Sequence, residues 1–228
     1  MTRIILGMVG FAGSGKDTVA SHIVDTYRFD KISFAKALKD MLSSMFGWDR
    51  DLLEGTTAES RTWRETPDIW WEEKLRWSDH PLRVYSERFT PRAAMQLIGT
   101  QLLRGQFCDD LWTLRVGKFL ETTSSNIIVT DCRFINELDM IKNYNGKIIR
   151  VKRGEDPSWY NTACDAMNKD SPTQQESYKF MKSTGIHESE WHWAGYPFDI
   201  VLDNNGTLGQ LIDLVDTKLE LPATLKSA

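Results

Sequence analysis

A lysine at the end of a glycine-rich turn is the first group in this sequence whose position indicates chemistry. Gly10, Gly15 and Lys16 form the pattern Gly-x4-Gly-Lys directly after an apolar run over residues 4–9. Glycines let consecutive backbone N–H groups converge on one anion, and the N-terminus of the following helix adds partial positive charge. The lysine can reach the β- and γ-phosphates of a nucleotide. We therefore predict a polyphosphate-binding loop, with a tight strand-to-helix turn bearing an exposed lysine as the alternative.

The two residues after Lys16 concern a metal ion. Asp17 stands where phosphate-binding loops usually have Ser or Thr, and Thr18 supplies a hydroxyl one position later. A carboxylate can ligate Mg²⁺ directly or through water. A carboxylate in the first turn of a helix also complements the helix dipole. Asp17 therefore has two interpretations of about equal weight, a magnesium ligand and a helix-dipole partner.

A second carboxylate follows another apolar run. Residues 127–129 are Ile-Ile-Val, and Asp131 comes two positions later. This pattern is typical of a buried parallel strand that brings a carboxylate to a phosphate site. Arg133 could pair with Asp131 or contact a phosphoryl group during its transfer.

Cations stand at two predicted helix starts. Lys36 lies in the first turn of a helix predicted over 35–46, and Arg92 follows Thr90 as N-cap and Pro91 as first helical residue. Positive charge opposes the dipole there, so a bound anion such as a substrate phosphate is favoured. One or two of five further arginines could also grip phosphate with their planar forks, although spacing does not select among them: Arg61, Arg64, Arg76, Arg83 and Arg88.

The elements that must position these groups alternate between strands and helices. Strands are predicted over 4–9, 31–34, 126–130, 147–152 and 198–202. This order predicts an α/β protein with a five-stranded parallel sheet flanked by helices. We interpret residues 1–228 as a single domain, with a helical substrate-binding region over about 47–125. Residues 154–190 are polar and are predicted to be irregular, either a lid or a surface insertion.

Composition excludes several classes of partner. A formal net charge of −4 argues against a general nucleic-acid-binding surface. Three cysteines are too few for a disulfide framework, which favours a reducing cytoplasm. No apolar run approaches membrane-spanning length. We therefore expect a cytoplasmic protein that acts on small molecules, without nucleic-acid or membrane partners.

Several blocks of sequence, taken together, resemble the bacteriophage-type deoxynucleoside monophosphate kinases and follow that family's order over nearly the whole chain. The blocks are Gly-x-x-x-Ser-Gly-Lys-Asp-Thr over 10–18, Phe-Ala-Lys-Ala-Leu-Lys-Asp over 34–40, Arg-x-x-Met-Gln-x-x-Gly-Thr over 92–100, Asp-x-Trp over 110–112, Asp-x-Arg-x-x-x-Glu over 131–137, Val-x-Arg-Gly over 151–154, His-Glu-Ser-Glu over 187–190 and Asp-Asn-Asn-Gly-Thr over 203–207.

The resemblance implies a three-layer P-loop kinase fold and transfer of the γ-phosphoryl group of Mg-ATP to a deoxynucleoside monophosphate, in a homodimer that acts in the cytoplasm, that of the host cell if the chain is viral. It implies catalytic roles for Lys16, Asp131 and Arg133, and Mg²⁺ ligation by Asp17 and Thr18. The implied ATP-binding residues are Ala12, Gly13, Ser14, Gly15, Lys16, Asp17, Thr18 and Arg153. The implied acceptor-binding residues are Lys36, Arg61, Arg92, Gln96, Gly99, Thr100, Trp112, Asp131, Arg133 and Glu137, with Arg64 as the alternative to Arg61.

Two other functions stay open from the sequence. The same loop and sheet serve many acceptor classes, so another small-molecule kinase, such as a coenzyme-precursor kinase, is the nearest alternative. A nucleotide-dependent switch is the alternative outside the kinases. Such a switch would need a water-orienting residue and a guanine-specific motif, and the sequence shows neither.

Overall fold

Five parallel strands form the central sheet of the computed structural model, which describes residues 3–225. The strand order is β2-β3-β1-β4-β5, and each of the four neighbouring pairs is parallel. The predicted five-stranded parallel sheet is therefore confirmed. The strands are β1 (Ile5–Val9), β2 (Phe29–Ile32), β3 (Asn126–Val129), β4 (Lys147–Lys152) and β5 (Ile200–Asp203).

Helices account for most of the remaining regular structure in residues 3–225. The α-helices are α1 (Lys16–Tyr27), α2 (Lys36–Phe46), α3 (Ala58–Glu65), α4 (Ile69–Lys74), α5 (Pro91–Gln96), α6 (Leu111–Thr122), α7 (Ile135–Asn143), α8 (Tyr160–Met167), α9 (Gln174–Ser183) and α10 (Leu208–Leu219). A π-helix, Leu97–Phe107, continues directly from α5. None of the helices in the described range combines the length and the apolar character that crossing a bilayer requires.

The chain divides into two compact units. The first contains residues 3–33 and 116–225 and holds the whole sheet. The second contains residues 34–115 and is helical.

Both faces of the sheet are covered within the first unit. Leu6 and Met8 of β1 belong to a buried cluster that also contains residues of α1 and α10. The alternate residue Gly7 faces the other way, where a Cβ would lie 3.2 Å from Ile141 of α7. Because successive side chains of a strand point to opposite faces, the helices lie in layers on both sides of the sheet. The three-layer α/β architecture is confirmed.

The predicted position of β2 is wrong by two residues. A strand was expected over 31–34, whereas β2 spans Phe29–Ile32, with Phe29 opposite Asn126 and Ile32 opposite Val129. β2 is an edge strand in which Phe29 is buried while Asp30 and Lys31 are exposed, so its apolar pattern is weak. Phe34, which suggested the later position, is buried outside the strand.

Residues 154–190 are not irregular, as the sequence suggested, because they contain α8 and α9, which pack against each other. The buried face of this pair is narrow and made mostly of small residues: Tyr160, Ala163 and Ala166 from α8, and Ser177 and Met181 from α9. The two helices are only eight and ten residues long, and polar residues outnumber apolar ones in α9, which explains why they were missed. A short 3₁₀ turn, Glu188–Glu190, follows.

In the second unit, the predicted start of α5 is confirmed. Thr90 Oγ1 accepts a hydrogen bond from the Ala93 backbone N–H at 3.0 Å, and Pro91 is the first helical residue. Rings of Phe46, Trp48 and Phe89 stack or tilt against one another with centroids 4.4 to 6.0 Å apart. These rings are a core of the second unit.

Candidate active site

The carboxyl ends of all five strands meet at one edge of the sheet because the strands are parallel, and ligands bind at this edge in open α/β sheets. β1 ends at the glycine-rich loop, and β3 leads to Asp131 and Arg133. β4 leads to the exposed Arg153, and β5 leads to the buried Asn204. The sheet topology therefore brings the glycine-rich loop, Asp131 and several cations to the same edge of the sheet.

Glycine is required at two positions of the loop. Gly10 and Gly15 have backbone φ angles of 144° and 100°, which residues other than glycine rarely adopt. A Cβ on Gly10 would lie 2.3 Å from the Val151 carbonyl oxygen, and one on Gly15 would lie 2.4 Å from Asn204 Nδ2. The loop therefore packs closely against the ends of both β4 and β5.

The loop offers polar groups that suit a polyphosphate. Ala12 and Gly13 are exposed at its tip. Ser14 is 4% exposed, and among the described residues its hydroxyl oxygen has no hydrogen-bond partner. A buried hydroxyl of this kind is costly unless a ligand oxygen satisfies it, so the loop residues fit the phosphates of ATP.

Lys16 is held inside the loop. Its ammonium donates hydrogen bonds to the carbonyl oxygens of Gly10 at 2.7 Å and Phe11 at 2.9 Å. Burial, and after it the charge of Arg133, lowers the pKa of Lys16 from 10.5 to about 8, although nearby carboxylates act in the opposite direction. The ammonium is thus a poorly hydrated cation close to a second cation, which is an arrangement that attracts anions.

Substitution of Lys16 by methionine should stabilise the protein without nucleotide at neutral pH. The pKa of Lys16 is lowered on folding to about 8, so the charged form is disfavoured in the folded state. The penalty is fully present below about pH 8 and disappears as the pH rises to the unfolded pKa near 10.5. We expect a gain of about 2 kcal/mol at pH 7 after the lost carbonyl contacts are allowed for.

The check is urea unfolding of both proteins between pH 7 and 10.5. The gain should stay constant up to about pH 8 and then shrink as the pH rises to 10.5. The exposed Lys118→Met is the matched control and should show no comparable change. A Lys16→Met protein that is less stable than the parent at pH 7 would contradict the expectation.

Asp131 and Arg133 are fixed by neighbours in the first unit. Asp131 Oδ2 accepts a hydrogen bond from Ser33 Oγ at 2.7 Å. The Arg133 backbone N–H donates to Glu137 Oε2 at 2.7 Å, and Glu137 is 3% exposed. Glu137 therefore secures the turn between β3 and α7, whereas its role in substrate binding stays a prediction.

Two residues at this edge were not identified as site residues from the sequence. Glu190 Oε1 lies 2.7 Å from Arg133 Nη1, which also donates to the Ser189 carbonyl at 3.3 Å. Asn204 Nδ2 donates to the Ser14 carbonyl oxygen at 2.9 Å and thereby holds the loop. Both residues belong to sequence blocks on which the family resemblance is based, Glu190 to 187–190 and Asn204 to 203–207. The resemblance implied no role for either residue.

Replacing Asn204 by aspartate should loosen this contact strongly. The change keeps the shape but removes the N–H donor and places a carboxylate oxygen against the Ser14 carbonyl in a buried position. We expect a loss of about 2–4 kcal/mol in the free energy of unfolding, measured in urea. Asn161→Asp, the same chemical change at an exposed residue of α8, should cost far less. Equal losses for the two variants would contradict this role of Asn204.

Asp17 and Thr18 are exposed in the first turn of α1, and Asp17 Oδ1 lies 3.8 Å from Lys31 Nζ. In residues 3–225 no group of three or more His, Cys, Asp or Glu side chains is arranged to hold a metal ion. Mg²⁺ in nucleotide sites commonly uses one or two protein oxygens together with phosphates and water. The oxygen donors Asp17, Thr18 and Asp131 fit that requirement.

In the second unit, the predicted acceptor cations are paired with carboxylates. Lys36, the first residue of α2, lies 2.7 Å from Asp40, and this contact, followed by that of Arg50, lowers the pKa of Asp40. Arg92 Nη1 lies 3.3 Å from Glu65 Oε1. These pairs are largely exposed and therefore weak, so a phosphate can compete for the cations.

Arg61 and Arg64 differ in their surroundings. Arg61 is exposed and donates to the Thr56 carbonyl at 3.0 Å. The Arg64 guanidinium lies against Gly55, where a Cβ would come within 2.1 Å of Arg64 Cζ. Neither position selects the acceptor arginine, and both assignments stay predictions.

The remaining acceptor candidates lie around the junction of α5 and the π-helix. Gln96 ends α5, Gly99 is buried, and Thr100 is half-buried. Trp112 is buried, and its indole N–H donates to the Gly99 carbonyl at 3.1 Å. π-helical segments occur often at functional sites. The substrate-binding roles of these four residues stay predictions.

Comparisons with known proteins place these features in context. No family model matches the chain. The chain is 26% identical over 234 residues to a protein of Acanthamoeba polyphaga mimivirus provisionally named deoxynucleotide monophosphate kinase, with 96% of this chain and 99% of that protein covered. It is 24% identical over 182 residues to the deoxynucleoside-5′-monophosphate kinase of Escherichia phage T5, with 62% of this chain and 73% of that protein covered. These two names confirm the resemblance drawn from the motifs.

The solved structures that the chain matches are more distant in sequence. The dephospho-CoA kinase of Campylobacter jejuni has a TM-score of 0.44 and 12% identity, with all of both chains covered. A sugar kinase from Janibacter sp. HTCC2649 has a TM-score of 0.40 and 15% identity, also with all of both chains covered. Neither adds to the assignment.

Proposed function

We propose that this protein is a deoxynucleoside monophosphate kinase, which transfers the γ-phosphoryl group of ATP to a deoxynucleoside monophosphate and releases ADP. One observation carries the proposal: a half-buried lysine in the glycine-rich loop has Asp131 and Arg133 for neighbours. This site occurs in a chain that is similar over 96% of its length to a protein provisionally named for that activity. Phosphoryl transfer depends mainly on positioning and charge neutralisation, and these residues supply both.

The first unit supplies the donor side of the reaction. The loop amides and Lys16 bind the ATP phosphates, whose oxygens compete with the Gly10 and Phe11 carbonyls for the ammonium. Arg133 offers its guanidinium to the charge that spreads over the transferred group. The exposed Arg153 is a further candidate for the ATP phosphates.

Mg²⁺ would supply charge neutralisation between the terminal phosphates. Asp17, Thr18 and Asp131 are the residues that would hold it, directly or through water. The Ser33 hydroxyl fixes the orientation of Asp131 by donating to Oδ2. We therefore propose that ATP is used as its magnesium complex.

The second unit supplies cations for the acceptor. Lys36 and Arg92, with Arg61 or Arg64, would bind the acceptor's 5′-phosphate, and the carboxylates that pair with Lys36 and Arg92 are exposed enough to be exchanged for it. We further propose a homodimer, supported by exposed Ile69, Trp70, Val84 and Tyr85 in this unit. The viral origin of both curated relatives supports action in the cytoplasm of a host cell.

A coupled assay of ADP release tests the function. The protein is incubated with Mg-ATP alone and with each member of a panel of deoxynucleoside monophosphates, ribonucleoside monophosphates and dephosphorylated coenzyme precursors. ADP release that depends on a deoxynucleotide supports the proposal. Release that depends only on a coenzyme precursor identifies another kinase, and release without any acceptor indicates a nucleotide hydrolase.

A further inference from the structure

Arg133 and Lys16 are two cations that the fold brings close together in the first unit. The charge of Arg133 is the second-largest cause of the lowered pKa of Lys16, after burial. Two like charges at one partly buried place repel each other, and folding must offset that repulsion. A nearby negative charge is the simplest way to do so.

Glu190 has the position that this role requires. Its Oε1 lies 2.7 Å from Arg133 Nη1, and its side chain is 22% exposed, so the pair is partly shielded from water. Its charge also acts on Lys16: together with Asp17 and Asp131 it partly opposes the lowering of the Lys16 pKa by burial and by Arg133. One carboxylate therefore serves both cations.

Several hydrogen bonds and a buried tryptophan hold the turn that carries Glu190. His187 Nδ1 accepts a hydrogen bond from the Ser189 backbone N–H at 3.3 Å, and the Glu190 N–H donates to the His187 carbonyl at 2.9 Å. Trp191, the next residue, is completely buried and donates its indole N–H to Ile186 at 3.2 Å. The carboxylate therefore lies on a turn that is anchored in the core of the unit by Trp191.

Arg133 is thus restrained at both ends. Its backbone N–H donates to the buried Glu137, and its guanidinium donates to Glu190 and to the Ser189 carbonyl. The side chain is still 38% exposed, which leaves part of the guanidinium open to a ligand. Restraint of this kind prepares a charged group for a transferring phosphoryl group without a cost at the moment of reaction.

We propose that Glu190 is a positioning residue that holds the Arg133 guanidinium in place and balances the charge of Arg133 and Lys16, an inference that rests on the proposed kinase function. Removal of the Glu190 charge should therefore have two opposite effects. Phosphate groups should bind more tightly, because a negative charge beside their site is gone. Turnover should fall, because Arg133 is no longer held in its reactive position.

The test is Glu190→Gln, with ADP binding measured by calorimetry in the absence of magnesium and kcat measured with ATP and the best acceptor. We expect about fivefold tighter ADP binding and a loss of kcat of about 10- to 100-fold. Glu190→Asp keeps the charge but shortens the reach, so kcat should fall without a gain in ADP affinity. A purely structural role would lower the melting temperature and would not improve ADP binding.

Glu188→Gln is the matched control. Glu188 belongs to the same turn but pairs with Lys182 and His192 and not with Arg133. This variant should stay within about twofold of the parent in both ADP affinity and kcat. ADP binding by Glu190→Gln that is no tighter than the parent's, or an unchanged kcat, would overturn the inference. The ADP measurement needs no acceptor, so it decides the role of Glu190 separately from the proposed function.

Discussion

Replacement of Lys16 by methionine is expected to reduce kcat by about a thousandfold or more. Lys16 is the cation of the phosphate-binding loop, held at 2.7 Å from the Gly10 carbonyl and partly stripped of water. In a poorly hydrated place, a charge stabilises the developing charge of a transferred phosphoryl group far more than it would in water. Methionine keeps most of the aliphatic length and removes only the ammonium. The measurement is acceptor-dependent ADP release at saturating ATP.

The same variant should be more stable than the parent at neutral pH, so a loss of turnover would not reflect unfolding. Lys118→Met, an exposed lysine of α6, provides the matched control and should keep its kcat. A Lys16→Met protein with turnover within tenfold of the parent would contradict the assignment of the loop as the ATP site.

Replacement of Arg92 by alanine should reduce kcat/KM for the acceptor by about a hundredfold. Arg92 stands in the first turn of α5, where a cation opposes the helix dipole, and its exposed contact with Glu65 is weak. A bound phosphate would satisfy both the cation and the helix terminus. The KM for ATP should change by less than about threefold, because Arg92 is assigned to the acceptor alone. Steady-state kinetics with each substrate varied in turn provide the measurement.

Arg115→Ala is the control for this experiment. Arg115 is an exposed arginine of α6 in the same unit, and its removal changes the net charge by the same amount. It should leave the kinetics of both substrates close to those of the parent. Unchanged acceptor kinetics in Arg92→Ala would show that the acceptor phosphate binds elsewhere.

The central sheet could be predicted from the sequence because its inner strands are almost wholly apolar. All five residues of β1 are buried, and so are the last three of β3. The edge strand β2 lacked such a run, and its prediction moved toward the buried Phe34, which lies outside the sheet. A strand that is buried on both faces has a continuous apolar run, which can be recognised in the sequence. An edge strand is partly exposed to solvent and need not have such a run.

The glycine-rich loop and Asp131 could also be predicted from the sequence. The loop has a fixed spacing, and Asp131 lies two residues after the end of an apolar strand. Glu190 and Asn204 could not be assigned, because their partners Arg133 and Ser14 lie 57 and 190 residues away in sequence. Such pairs depend on tertiary packing, which local periodicity does not encode. The π-helix Leu97–Phe107 was missed for a related reason, since its apolar residues resemble those of an ordinary helix.

The ring of Phe11 links the glycine-rich loop to two tryptophans, Trp159 and Trp193. The Phe11 carbonyl oxygen accepts a hydrogen bond from the Lys16 ammonium. The Phe11 ring contacts Trp159 edge-on, with 5.5 Å between ring centroids, and Trp193, with 4.9 Å between centroids. The glycine-rich loop is therefore packed against side chains that lie far away in the sequence. A chimera that imports this segment from another protein, with a smaller side chain at position 11, would leave a gap beside these two indoles. Residues 10–16 and the two tryptophans should therefore be exchanged together in any such chimera.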